Sequence, residues 1–149
     1  MFRKAIYFLP TIILLIFSFI RSVCPETSEK FVVKVLDGDT IELDDGNRVR
    51  LLGIDAPELG EPFSQEAKLF LEETILNKKV KIEKDPSWNK DKYGRLLGYV
   101  FLEEKLLNCE MARIGLVEVI AERESKYYSC FKQAEQEAKE KKLGIWSSS

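Results

Sequence analysis

Apolar and polar positions divide the chain into two unlike parts. Ala5 to Ile20 is a 16-residue apolar run broken only by Pro10, Thr11 and Ser18, with Arg3 and Lys4 before it and Arg21 after it. From Phe31 onward the pattern is one of short alternations. Phe31 to Leu36, rich in Val, reads as a strand; Asp37-Gly38-Asp39 reads as a turn; Thr40 to Leu43 is extended again. Asp44-Asp45-Gly46-Asn47 is a hairpin formula, so Arg48 to Leu52 is the returning strand of a three-stranded meander. Gly53 to Pro62 holds two prolines and is read as a loop.

The period then changes. Ser64 is a plausible N-cap, and Ala67, Phe70, Leu71 and Ile75 recur at helical spacing. Val80 and Ile82 alternate with Lys79, Lys81 and Glu83, the pattern of a half-exposed strand. A polar loop from Asp85 to Gly94 leads to a fifth strand, Arg95 to Phe101. A short helix over Asn108 to Ile114 stops at Gly115, and Leu116 to Ile120 is expected to be extended. The last helix places Tyr127, Phe131, Ala134 and Ala138 on one stripe, and Trp146 closes the domain as a packed lid. Three strands, a helix, two strands and further helices predict a mainly β, α+β fold. The expected architecture is a five-stranded antiparallel barrel of the OB type packed with about three helices.

Composition adds bounds. A length of 149 residues suits one domain, and an apolar fraction of 45% can build a core. The basic start, terminal position and polar sequel make residues 1–22 a targeting segment, with 23–30 a linker and 31–149 the domain. The apolar run is slightly long for a signal core and short for a span of about 20 residues. A cleaved signal peptide and an anchor through residues 5–20 therefore both stay open. Either places the protein outside the cytoplasm, secreted or held at a membrane. The formal charge is −2. Residues 1–22 hold three basic and no acidic residues, which leaves 20 basic against 25 acidic residues, a net of −5, in the remainder. Any phosphate-binding function must then rest on a local site rather than a basic surface. Cys109 and Cys130 can pair in an oxidising compartment, leaving Cys24 odd, or can be two independent small apolar residues.

The chain has no histidine. That excludes a Ser-His-Asp triad, a Cys-His pair and a histidine base, and it makes a zinc site untenable. Neither a P-loop nor a dinucleotide fingerprint is present. What remains are carboxylates and arginines in three segments: Asp37-Gly38-Asp39-Thr40, Arg50-Leu51-Leu52-Gly53-Ile54-Asp55-Ala56-Pro57-Glu58 and Asp91-Lys92-Tyr93-Gly94-Arg95. Each alone has an ordinary explanation, since Asp-Gly makes turns and charged side chains usually face water. The first is not an EF-hand, because the twelfth position from Asp37 is Arg48 and not Glu.

Together and in this order, the three segments resemble the staphylococcal nuclease family, over about residues 31–146 and including the terminal Leu143-Gly144-Ile145-Trp146. The resemblance implies an OB fold and calcium-dependent hydrolysis of DNA and RNA, leaving a 3′-phosphate and a free 5′-hydroxyl. Asp39 and Asp55 match the calcium-binding carboxylates, and Ala56 the residue that offers calcium its backbone carbonyl. Glu58 matches the carboxylate that activates or orients the attacking water. Arg50 and Arg95 match the two arginines on the scissile phosphate, and Tyr93 a tyrosine lining the nucleotide pocket. The types are chemically apt: calcium takes hard oxygen ligands, and guanidinium forks grip phosphate oxygens in a way lysine cannot copy. The chain departs from the pattern at Ala121, where a second nucleotide-pocket tyrosine is expected; Tyr127 or Tyr128 could substitute. It also has a short loop after Glu58. A monomer is expected, with DNA and RNA as partners. The rival reading is a non-catalytic OB module that binds nucleic acid or a protein, which would need none of Arg50, Glu58 and Arg95.

Overall fold

The computed structural model describes residues 27–85 and 89–147. The apolar run and its two targeting readings lie outside the described residues, and among these no helix is long and apolar enough to cross a membrane.

Five strands build the barrel: β1 (Thr27–Val35), β2 (Thr40–Leu43), β3 (Arg48–Leu51), β5 (Lys79–Lys84) and β6 (Leu96–Leu102). Two-residue strands β4 (Ile54–Asp55), β7 (Lys105–Leu106) and β8 (Glu118–Val119) are added to them, β7 at the end of the main sheet and β4 with β8 as a separate pair. The helices are α1 (Ser64–Ile75), α2 (Leu107–Arg113) and α3 (Tyr128–Glu140), with a 3-10 turn over Gly144–Trp146. The expected barrel with three helices is thus present.

Strand β1 serves two neighbours. Its first half pairs with β5 from Thr27↔Glu83 to Phe31↔Lys79, and its second half pairs with β2 from Val32↔Leu43 to Val35↔Ile41. The register slips between Val32 and Lys34. A bulge of this kind bends a strand and resets which face a residue points to. Val32 and Val35, three apart, are therefore both buried, while Val33 is 47% exposed. The strand begins at Thr27, inside the stretch read as linker, because Thr27–Lys30 is fully paired with β5.

The barrel closes through β3 and β6, which run parallel in the register Val49↔Leu96, Arg50↔Leu97 and Leu51↔Gly98. An all-antiparallel barrel was expected. The closing pair differs because β3 and β6 are joined by a long crossover holding α1 and β5, and crossovers permit parallel pairing. Inside sit Val32, Ile41, Val49, Leu51, Val80, Ile82 and Val100, all but closed to solvent, while Tyr99 on the opposite face of its strand is buried against Tyr127 and Phe131. Helix α1 adds Ala67, Leu71 and Ile75 from one stripe, each large side chain contributing about 1.5–3 kcal/mol by burial. The helix starts at Ser64 itself, with Phe63 as the left-handed residue before it and no side-chain cap.

Asn108 ties the far side of the barrel. Its side chain accepts from the Val100 amide at 2.9 Å and donates to the Leu52 and Gly98 carbonyls at 2.9 and 3.3 Å. Helices α2 and α3 are joined by a Cys109–Cys130 disulfide, with Cα atoms 6.2 Å apart. Trp146 is half-buried, and the Lys139 ammonium lies 4.3 Å from its ring centroid.

Candidate active site

Three loops at one end of the barrel bring the charged segments together. The Asp37–Asp39 loop turns tightly because the Asp37 carboxylate accepts from the Asp39 amide at 3.0 Å. Gly38 permits its close docking: a Cβ there would lie 2.7 Å from the Cβ atoms of both Ala56 and Ala67. Asp39 is thereby buried with its carboxylate held from two sides. Oδ1 accepts from Thr40 Oγ1 at 2.9 Å, and Oδ2 accepts from the Ala56 amide at 3.0 Å.

Arg50 projects from β3. Its Nη1 donates to the Leu51 and Ile54 carbonyls at 3.1 and 2.7 Å. Its Nη2 stands 3.3 Å from Asp39 Oδ2 and hydrogen-bonds Asp55 Oδ1. Two carboxylates, one buried and one exposed, thus converge on one guanidinium nitrogen. Burial pushes the Asp39 carboxyl above its ordinary pKa, against the opposing pull of the Ala56 amide and the Arg50 charge.

The third segment is organised by Asp91. Its Oδ1 accepts from the amides of Tyr93 and Arg95 at 2.9 and 3.0 Å, and its Oδ2 accepts from Arg95 Nε at 2.7 Å. Desolvation works against the Asp91 charge, but the Arg95 side chain and the two amides outweigh it and hold the carboxyl below its usual range. Arg95 Nη1 then reaches Thr40 Oγ1 at 3.2 Å, so one hydroxyl links the Asp39 carboxylate to the second arginine. The Arg95 guanidinium also lies 5.4 Å from the centroid of the Tyr93 ring, which is 71% exposed.

Asp39, Arg50, Asp55, Ala56, Glu58, Tyr93 and Arg95 all line one open cleft of about 1270 Å³. The structure therefore brings every expected site residue to one place. Tyr127 and Tyr128 do not line it. The Tyr127 hydroxyl donates toward Glu83, and its ring meets Tyr99 edge to face at 4.7 Å, so its side chain is engaged away from the cleft. Sequence reasoning passed over Thr40, Asp91 and Asn108. Asp91 and Thr40 lie in two of the three charged segments without a role of their own there, and Asn108 is visible in the sequence only as the first residue of the short helix expected over Asn108 to Ile114.

Among the described residues no group of three or more Asp, Glu, Cys or His side chains is gathered to hold a metal. The pair Asp39 and Asp55 nonetheless fits a hard cation. Both already converge on one positive nitrogen, and the donors are oxygens. Such a site leaves most of the six to eight calcium ligands to water and substrate oxygens, as that ion allows.

Known proteins are similar to this chain over most of its length. The family described as "Staphylococcal nuclease homologue" is matched by residues 48–148. A thermonuclease of Staphylococcus intermedius is 37% identical over 153 residues, covering 91% of this chain and 90% of its own. An endonuclease of Haemophilus influenzae described as uncharacterized is 33% identical over 141 residues, covering 92% and 76%. The SPbeta prophage-derived endonuclease YokF of Bacillus subtilis is 38% identical over 125 residues, covering 76% of this chain but 42% of its own. Barrel, cleft and relatives together define a nuclease, a hydrolase acting on nucleic acid. The chain belongs to the staphylococcal nuclease family.

Proposed function

We propose that this nuclease is calcium-dependent, cleaves both DNA and RNA to leave 3′-phosphate and 5′-hydroxyl ends, and works as a monomer outside the cytoplasm. The observation that carries the reading is the convergence of Asp39 and Asp55 on one Arg50 nitrogen, in the cleft that also holds Glu58, Tyr93 and Arg95. Asp39, Asp55 and the Ala56 carbonyl would hold calcium. When bound, calcium supplies charge neutralisation at the phosphate and a fixed place for water.

The protein's own groups do the rest. Arg50 and Arg95 bind the non-bridging phosphate oxygens, where negative charge gathers during in-line attack. Glu58 holds the attacking water and takes up its proton. The new P–O bond forms as the P–O5′ bond breaks, and O5′ leaves as a hydroxyl with a proton from solvent. Tyr93 borders the nucleotide base. Thr40 and Asp91 position Arg95 without touching substrate.

The test is cleavage of labelled single-stranded DNA and RNA by the purified protein under calcium titration, with end-group analysis of the products. Activity that appears with calcium, vanishes with a chelator and yields 3′-phosphates supports the reading. Tight binding without cleavage at any calcium concentration would favour a non-catalytic module. Export is tested by fractionation: the protein belongs in the medium, the periplasm or the outer face of a membrane.

A further inference from the structure

The cleft lining includes apolar side chains that none of the roles above uses. Leu59 is 91% exposed and Leu69 is 49% exposed, and both line the cleft. A scattered exposed leucine is ordinary, but Leu59 is built into place. It stands at the tip of a turn closed by a 2.9 Å bond from the Glu61 amide to the Glu58 carbonyl, with Gly60 at φ 95° as the turn requires. The Glu61 carboxylate accepts from the Glu58 amide at 2.7 Å, and Ser64 Oγ donates to the Glu61 carbonyl at 2.8 Å. The turn is thus tied to the start of α1 and to the backbone of the water-handling residue. Leu69 comes from the face of α1 that also presents Gln65, Lys68 and Glu72 to the cleft.

We propose that Leu59 and Leu69 form an apolar shelf that takes the face of an unpaired base, one nucleotide away from the base bordered by Tyr93. This rests on the reading of the cleft as a phosphodiester-cleaving site. Tyr93 neighbours Arg95 and Leu59 neighbours Glu58, so the two apolar groups stand beside different members of the set acting on one phosphate. A strand whose phosphate sits among those members presents its flanking bases to each. Leucine is among the side chains that wedge against base steps and unstack them. Base faces in an intact duplex are covered by their neighbours. The shelf therefore meets an unpaired base beside the reacting phosphate and grips it without reading sequence.

The experiment measures binding, in calcium, of a fluorescent oligodeoxythymidine and of the same backbone with abasic sites at all but its central nucleotide. The protein is the full chain carrying Glu58→Gln to prevent turnover, with and without Leu59→Ala and Leu69→Ala. Removing flanking bases is expected to weaken binding, and the two alanines should shrink that penalty about three- to tenfold while changing duplex affinity less than about twofold. Leu59→Trp should enlarge the penalty. An equal base penalty with and without the leucines overturns the shelf, as does failure of the oligonucleotide to bind at all. Failure of the unsubstituted protein to cleave DNA would instead sink the nuclease mechanism, and the anisotropy comparison reads the shelf separately.

Discussion

Asp39 shows at the scale of one residue how a buried charge works against stability. Its carboxylate is buried, and burial raises its pKa despite the Arg50 charge beside it. A carboxyl with a folded pKa above its unfolded value binds more protons in the native state, so its contribution to stability falls as pH rises through that window. Asp39→Asn, which keeps an acceptor for the Ala56 amide, should therefore raise Tm by about 2–6 °C in chelator at neutral pH. The gain should vanish below about pH 4, where aspartate is protonated in either state. The same variant should lose calcium binding, seen by titration calorimetry. Groups acting on the phosphate fail differently. Arg95→Ala and Glu58→Gln should leave calcium affinity nearly intact and lower kcat about 10²- to 10⁴-fold in single-turnover cleavage. Arg50→Lys should be comparably harmful, because a point charge cannot reproduce a donor reaching Leu51, Ile54 and both carboxylates. Cleavage at wild-type rates by both Arg95→Ala and Glu58→Gln would refute the assigned roles. The charged residues of this site were legible because each sits in a short local segment. The linking hydroxyl of Thr40 was not, since it meets Arg95 across 55 positions of sequence.

Elements were read well where a local period exists. The stripe Phe131, Ala134 and Ala138 on α3 is buried as expected, and the β2–β3 hairpin forms at Asp44–Asn47. Two features escaped. Burial in β1 follows the bulge and not simple alternation, and nothing in residues 31–36 announces a slipped register. The parallel β3–β6 seam is a non-local pairing that a strand's own pattern does not encode. The two open readings of Cys109 and Cys130 resolve into a disulfide between α2 and α3. It spans 21 positions, and a loop of that size restrains the unfolded chain by about 3 kcal/mol. Urea unfolding of a Cys109→Ser/Cys130→Ser variant should show a loss of that order, with kcat preserved because neither cysteine lines the cleft. An unchanged midpoint would mean that the helices hold together without the bond.

The whole molecule is an acidic body with a mixed-charge cleft, a net of −5 beyond residue 22. Attraction to a polyanion is then short-ranged and depends on few contacts. With two to four phosphates engaged, the logarithm of affinity for single strands should fall with the logarithm of salt at a slope of about −1.5 to −3. A slope near −6 or steeper would point to a basic track that the cleft does not have. One architectural fact governs when this molecule becomes an enzyme at all. The two arginines proposed to bind the phosphate lie at the barrel's parallel seam: Arg50 is in β3 and pairs with Leu97 of β6, and Arg95 immediately precedes β6. Before β3 and β6 meet, the halves of the phosphate clamp belong to separate pieces of chain, 45 residues apart along the sequence. On the proposed roles of Arg50 and Arg95, a copy whose β3 and β6 have not met has no assembled phosphate clamp, and the power to cut comes with the closing of the barrel.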